Sequence, residues 1–183
     1  MSRVGIRPIK IEEGISVTKD GDKVVVSSGN LKKEIDILPG IDVAINSDIV
    51  QVTRTKEDKQ TASYHGLIAR LISNAITDMK NGVKIVLEIV GTGYRAKVEG
   101  NKIVLSMGYS HDIDKEIPEG IKVEVKKNDI IIDGNDRREM GEFAANIREV
   151  RPPEVYKGKG IKFKDEIIKK KAGKAAQAVG GGA

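Results

Sequence analysis

The chain has no cysteine and no tryptophan. The first absence excludes disulfides and thiolate-held metals and fits a reducing compartment. The second, with only 3% aromatic residues in all, leaves the core to Ile, Val and Leu. Histidine occurs only at His65 and His111, and two lone histidines make no zinc site. No apolar run approaches the roughly 18 residues of a membrane-spanning helix. The start, Met1-Ser2-Arg3-Val4-Gly5-Ile6-Arg7-Pro8, has no apolar segment behind its charges, so no signal peptide is expected. A Gly-x-Ser-x-Gly elbow is missing, and Gly158-Lys159-Gly160 lacks the spacing of a Walker loop. Glu12-Glu13 and Asp165-Glu166 read as solvated carboxylates. The expectation is a cytoplasmic protein with no catalytic residues, no metal, no cofactor and no small-molecule substrate.

What the chain does have is Arg151-Pro152-Pro153-Glu154-Val155-Tyr156-Lys157-Gly158-Lys159-Gly160-Ile161. Proline stiffens the entry, glycine lets a backbone come close to a ligand, lysine carries phosphate charge, and tyrosine offers a flat face to a base. The competing reading is a solvated connector. Charge separates the two. Of 32 basic and 27 acidic residues, ten basic and four acidic fall between Arg148 and Ala183. The first 147 residues therefore hold 22 basic against 23 acidic, and all the positive excess lies in the last fifth. That asymmetry suits a nucleic-acid-facing tail on a near-neutral body. A membrane surface fits less well, because Phe163, Ile167 and Ile168 are a thin apolar anchor.

An internal repeat organises the rest. Gly21-Asp22-Lys23-Val24-Val25-Val26-Ser27-Ser28-Gly29 recurs 79 residues later as Gly100-Asn101-Lys102-Ile103-Val104-Leu105-Ser106-Met107-Gly108. Leu38-Pro39-Gly40-Ile41-Asp42-Val43 resembles Ile117-Pro118-Glu119-Gly120-Ile121-Lys122-Val123. Two copies are a duplication, since a solenoid needs at least three. Each copy reads as antiparallel hairpins and then a helix. The first helix is expected from about Asp58 to Met79, with Leu67, Ile68, Leu71, Ile72, Ala75, Ile76 and Met79 as its apolar stripe, closed by Asn81-Gly82. The second is expected from about Asp136 to Val150, with Met140, Phe143, Ala144, Ile147 and Val150 inward, a capping box between Asp136 and Glu139, and Pro152-Pro153 as its stop. The fold class is thus α+β: two tandem similar domains, each a mainly antiparallel sheet packed with one helix, plus a basic C-terminal tail. The expected divisions are 1–82, 83–174 and a disordered stretch 175–183.

Val90-Gly91-Thr92-Gly93-Tyr94-Arg95-Ala96 has dinucleotide-fingerprint spacing, but a strand and turn follow where the phosphate site needs a helix. A bulge or kink in a strand is the expectation. Tyr94, Arg95 and Lys97 face a phosphate backbone in one reading and are ordinary strand surface in the other. Arg148 and Arg151 complement the second helix's dipole, aim the Pro-Pro segment at RNA, or do both. Lys169, Lys170, Lys171 and Lys174 form a basic run, read either as solvated tail or as contact. His65 lies beside the apolar stripe as a surface or packing residue.

Glu142 to Ile161, reading Glu-Phe-Ala-Ala-Asn-Ile-Arg-Glu-Val-Arg-Pro-Pro-Glu-Val-Tyr-Lys-Gly-Lys-Gly-Ile, resembles the C-terminal motif of the "L-six" family of bacterial large-subunit ribosomal proteins. Ser2-Arg3-Val4-Gly5-Ile6-Arg7-Pro8-Ile9, His65-Gly66-Leu67 and Gly91-Thr92-Gly93-Tyr94-Arg95-Ala96 match as well, as does Lys171-Ala172-Gly173-Lys174. Departures are mild: Val155 replaces a usual proline, Phe163 a usual tyrosine and Ile6 a common lysine. The resemblance implies a structural constituent of the large ribosomal subunit. It would bind 23S rRNA near the sarcin–ricin loop and stalk base, beside other large-subunit proteins and docking translational GTPases, with no membrane partner. In that role Lys157, Lys159, Lys162 and Lys164 neutralise phosphates, Gly158 and Gly160 permit close approach, and Tyr156 stacks. Pro152 and Pro153 set direction, with Arg148, Arg151, Tyr94, Arg95 and Lys97 as second-rank contacts. Folded RNA is favoured over DNA, because no helix carries a basic recognition face. Without the resemblance the residues lead only to a basic-tailed nucleic-acid-binding protein. The alternatives are a protein-interaction module outside the ribosome and an enzyme with an unfamiliar site.

Overall fold

A computed structural model describes residues 4–29 and 31–171. The first residues of the N-terminal motif, Lys174 and the stretch 175–183 lie outside the described residues. The chain forms two compact units, Met1–Gly82 and Val83–Ala183.

In the first unit β1 (Ile9–Lys10), β5 (Ile41–Asn46) and β6 (Ile49–Arg54) make one antiparallel sheet in the order β1, β6, β5. β2 (Ser16–Asp20), β3 (Lys23–Ser28) and β4 (Leu31–Asp36) make a second. Helix α1 (Lys59–Asn81) follows. The second unit repeats this plan. β8 (Arg95–Glu99), β9 (Lys102–Ser106) and β10 (Ile113–Glu116) form the three-stranded sheet. β7 (Val83–Val90), β11 (Lys122–Lys126) and β12 (Asp129–Gly134) match β1, β5 and β6. Helix α2 (Arg137–Val150) follows. Among the described residues one element has no counterpart: β13 (Gly160–Phe163) pairs with β7 and makes that sheet four-stranded. The α+β class with two similar units is the one expected.

The local reasons are visible in sequence. Gly21 at φ 56° and Gly100 at φ 61° turn the matched β2–β3 and β8–β9 hairpins, a conformation glycine reaches without steric cost. Alternating strand residues point inward: Val24 and Val26 in β3, Ile103 and Leu105 in β9, all fully buried. α1 starts on Asp58, whose carboxylate accepts from the Thr61 amide at 2.6 Å while the Asp58 amide donates to Thr61 Oγ1 at 3.4 Å. Bonds from the Thr61 hydroxyl and amide hold the Asp58 carboxyl below its ordinary range. The reciprocal box thus belongs to α1; at α2, Asp136 accepts from the Arg138 amide at 2.8 Å instead. Gly82 closes α1 at φ 66°.

The α1 stripe differs from expectation. Ile68, Ile72, Ala75 and Ile76 are buried, but Leu67 is 47% exposed and Leu71 41%. At 100° per residue the inward face runs through Thr61, His65, Ile68, Ala69 and Ile72, which leaves the two leucines on its flank. His65 is buried, and its Nε2 lies 2.9 Å from the Val52 carbonyl oxygen. Gly5 packs flat on it: a Cβ there would stand 2.5 Å from the imidazole. The α2 stripe is as read, with Met140, Phe143, Ala144 and Ile147 buried and Val150 partly so.

Ile72→Ala and Met140→Ala, each at a fully buried side chain, will cost about 2–5 kcal/mol in denaturant unfolding. A loss below about 1 kcal/mol would contradict the assigned cores.

Candidate nucleic-acid interface

α2 ends at Val150 because Pro152 and Pro153 offer no amide hydrogen to continue it. The chain then folds into a closed loop. The Ile161 amide donates to the Arg151 carbonyl at 2.8 Å, and the Glu154 amide to the Lys159 carbonyl at 3.0 Å. The Gly158 amide donates to the Glu154 carbonyl at 3.0 Å. The Pro-Pro stretch and the Gly-Lys-Gly stretch are therefore two arms of one loop, with Tyr156 and Lys157 near its tip. Gly160 sets their spacing. At φ 143° its missing Cβ would lie 2.6 Å from the Pro152 carbonyl oxygen and 2.7 Å from Pro153 Cα. The close backbone approach expected at this glycine is made by the protein's own chain. Gly158 is buried at φ 75°, and the following segment returns to this loop, the Lys171 amide donating to the Val155 carbonyl at 2.9 Å.

The loop borders an open cleft of about 490 Å³ lined by Tyr94, Arg151, Pro152, Glu154, Tyr156, Lys157 and Lys159. Tyr156 is 60% exposed. Tyr94 sits in the link between β7 and β8, so Gly91 to Tyr94 is a connection between sheets rather than the expected bulge within a strand. Its ring folds over Gly91, where a Cβ would come within 2.5 Å of it. Arg151 lies over the Tyr109 ring at 5.1 Å from its centroid, a cation–π arrangement. Tyr109 and then Tyr94 hold the guanidinium still more firmly protonated. The Tyr109 hydroxyl donates to the Val150 carbonyl at 2.9 Å, tying this ring to the end of α2. Sequence reading missed Tyr109. The available signal was scarcity: three of the chain's four tyrosines gather around Arg151 and the loop.

The other named residues divide by charge pairing. Arg148 binds Glu166 through two bonds, Nε to Oε2 at 2.9 Å and Nη2 to Oε1 at 2.5 Å. Lys162 pairs with Glu88 at 2.9 Å and Lys164 with Asp129 at 3.2 Å. All three are ion-paired, Arg148 and Lys162 partly buried and Lys164 exposed, and the pairs tie the segment around β13 to its neighbours. Lys157, Lys159, Lys169, Lys170 and Lys171 form no ion pair among the described residues. Arg95 and Lys97 are exposed on β8, two positions apart on one face. The site is thus a cluster of unpaired lysines and one arginine interleaved with three aromatic rings. It can neutralise phosphates and stack bases, and among the described residues no His, Cys, Asp or Glu group could hold a metal.

The family model described as "Ribosomal protein L6" matches residues 90–164, the stretch that carries the loop, the cleft and β13. A relative from Sulfurovum sp. (strain NBC37-1), named "Large ribosomal subunit protein uL6", is 44% identical over 96% of this chain and 99% of its own. One of the same name from Carboxydothermus hydrogenoformans is 44% identical over 95% of this chain and 96% of its own. Another from Campylobacter jejuni subsp. jejuni is 42% identical over 97% and 99%.

Two glycines give opposite expectations. Gly141 lies within α2 with open space at its Cβ position, so Gly141→Ala will raise stability by roughly 0.5–1 kcal/mol. Gly160→Ala will lower it by more than that and displace the loop, seen as lost amide dispersion at Arg151 to Lys159 in an NMR spectrum. The Glu166 carboxyl is held below its ordinary range, first by its bond from Arg148 and also by the Phe163 amide. A depressed carboxyl contributes stability above its unfolded pKa and loses it as pH falls through the folded value. Glu166→Gln will therefore destabilise the protein at pH 7, and the gap will begin to close as pH falls below the ordinary carboxylate value of about 4.3 and vanish only below Glu166's own depressed value. A gap unchanged by acid would contradict this.

Proposed function

The chain belongs to the ribosomal protein L6 family, and from that premise we propose that its Tyr156–Lys159 loop binds large-subunit rRNA. Its role is that of a structural ribosomal protein. The observation that carries the finer reading is the pairing pattern. Lys162, Lys164 and Arg148 are paired with Glu88, Asp129 and Glu166, whereas exposed Lys157 and half-buried Lys159 have no ion-pair partner among the described residues and stand beside exposed Tyr156. An unpaired cation beside an exposed ring suits a phosphate and an adjacent base.

On this reading the loop seats against folded rRNA, Arg151 and Tyr94 form the cleft wall with the Tyr109 ring against Arg151, and Lys169 to Lys171 extend the positive track. Arg95 and Lys97 contribute at the edge. The internally paired cations keep the segment's direction instead of meeting RNA. The site lies near the sarcin–ricin loop and the stalk base, where translational GTPases dock, with other large-subunit proteins as neighbours. The protein is a cytoplasmic scaffold without turnover of its own. Among the described residues no helix is long and apolar enough to cross a membrane.

Binding of purified protein to large-subunit rRNA across a salt series tests this. Contact with about four to six phosphates gives a log–log slope of roughly −3 to −5. Lys157→Ala with Lys159→Ala will weaken binding and flatten the slope by roughly 1 to 2. Tyr156→Ala will cost roughly 1–3 kcal/mol of affinity with little change of slope. An unchanged slope in the double variant would remove these lysines from the contact. Binding insensitive to nuclease would point to a protein partner instead.

A further inference from the structure

The two copies of the duplicated unit differ at one sheet edge. In the second unit β7 has β12 on one side and β13 on the other. β13 also packs against α2, and its Ile161 is fully buried. In the first unit β1 takes the place of β7, pairing antiparallel with β6 as β7 does with β12. Among the described residues β6 is the only strand beside β1, so its outer edge stands where the second unit holds a fourth strand. A cleft of about 380 Å³ lies there, between β1 and α1.

Its lining states what would fit. Ile9, Ala69 and Ile76 supply an apolar floor, and Arg7, Lys10 and Arg70 stand around it. None of these three cations forms an ion pair among the described residues, and all three are exposed. Glu12, the one acid at the cleft, is bound to Lys80.

We propose that this cleft is a docking slot for an extended acidic segment of another protein, which adds a strand to β1 as β13 adds one to β7. Edge strands present unpaired backbone groups that template such additions, while pockets for alternate side chains give selectivity. Pro8 lacks an amide hydrogen, so the shared ladder is short and the guest's side chains carry much of the recognition. The guest places an apolar residue on the floor, where β13 places Ile161, and its carboxylates meet Arg7, Lys10 and Arg70. RNA fits less well, because a phosphate backbone has neither a strand's hydrogen-bonding ladder nor an aliphatic side chain for the floor. The chain's own residues 172–183 do not fit either, since they carry Lys174 and no acidic side chain.

The test is a titration of the isotope-labelled full chain, followed by NMR, with three probes: a six-residue peptide alternating Glu and Val, the same peptide with Lys for Glu, and a six-nucleotide RNA. The acidic peptide will give saturable shifts at Ile9 to Ile11 and Ala69 to Thr77, and the basic peptide none. Arg7→Ala with Arg70→Ala will weaken it about tenfold, and Arg7→Glu with Arg70→Glu will transfer binding to the basic peptide. Lys157→Ala with Lys159→Ala will leave it unchanged, which separates this slot from the loop. Saturable shifts at β1 from the RNA but not from the acidic peptide would overturn the proposal, as would shifts from neither.

Discussion

The C-terminal segment depends on one close approach of backbone to backbone. Where α2 stops, the Arg151–Pro153 stretch and Gly160 come so near that no side chain fits between them: a Cβ on Gly160 would stand 2.6 Å from the Pro152 carbonyl oxygen. The prolines forbid the helix from continuing, and the glycine lets the chain return beside them. Everything beyond follows from that contact. It closes the loop, raises Tyr156 and Lys157 to its tip, and delivers Ile161 in register with Ile89 on β7. The ion pairs of Lys162, Lys164 and Arg148 then fasten the strand from both sides.

The same contact marks where the two copies part. α1 runs for 23 residues and α2 for 14. The first copy spends the remainder on further helix packed over its sheet through Ala75 and Ile76. The second breaks at Pro152, converts the following residues into loop and strand, and gains an exposed cluster of unpaired charge. Among the described residues the duplicated scaffold has thus kept one copy as a plain folded unit with an open sheet edge, and turned the matching edge of the other into the anchor of a projecting site.

Much of this architecture is legible in the amino-acid sequence. Periodicity and turn glycines place the matched hairpins, α2's inward face and both helix ends, because each depends on residues a few positions apart. What the sequence hides depends on distant partners. No spacing rule says that Lys162 will stand opposite Glu88 or Lys164 beside Asp129, since the registers of β13 and β12 on β7 decide them. So these lysines read like Lys157 in sequence and differ from it in space. Gly160 reads as a glycine for a ligand because its true neighbours, Arg151 to Pro153, come close only after the loop closes. Leu67 and Leu71 fit a helical stripe as well as Ile68 and Ile72 do, and only the angle at which α1 meets its sheets separates them. Tyr109 carries no motif at all, and its meaning comes from Arg151, 42 positions away in the chain.

On the proposed function the exposed loop, not the paired cations behind it, attaches this protein to the ribosome. The most direct measurement is co-sedimentation of the tagged full chain with large subunits from cell extract, compared with a chain carrying Ala at Tyr156, Lys157 and Lys159. These positions carry no ion pair among the described residues, so the variant should melt as the parent does. The intact chain will travel with the large subunit, and the variant will be shed as salt rises through about 0.2 M, where phosphate contacts are screened. Equal retention of both chains across that range would contradict it.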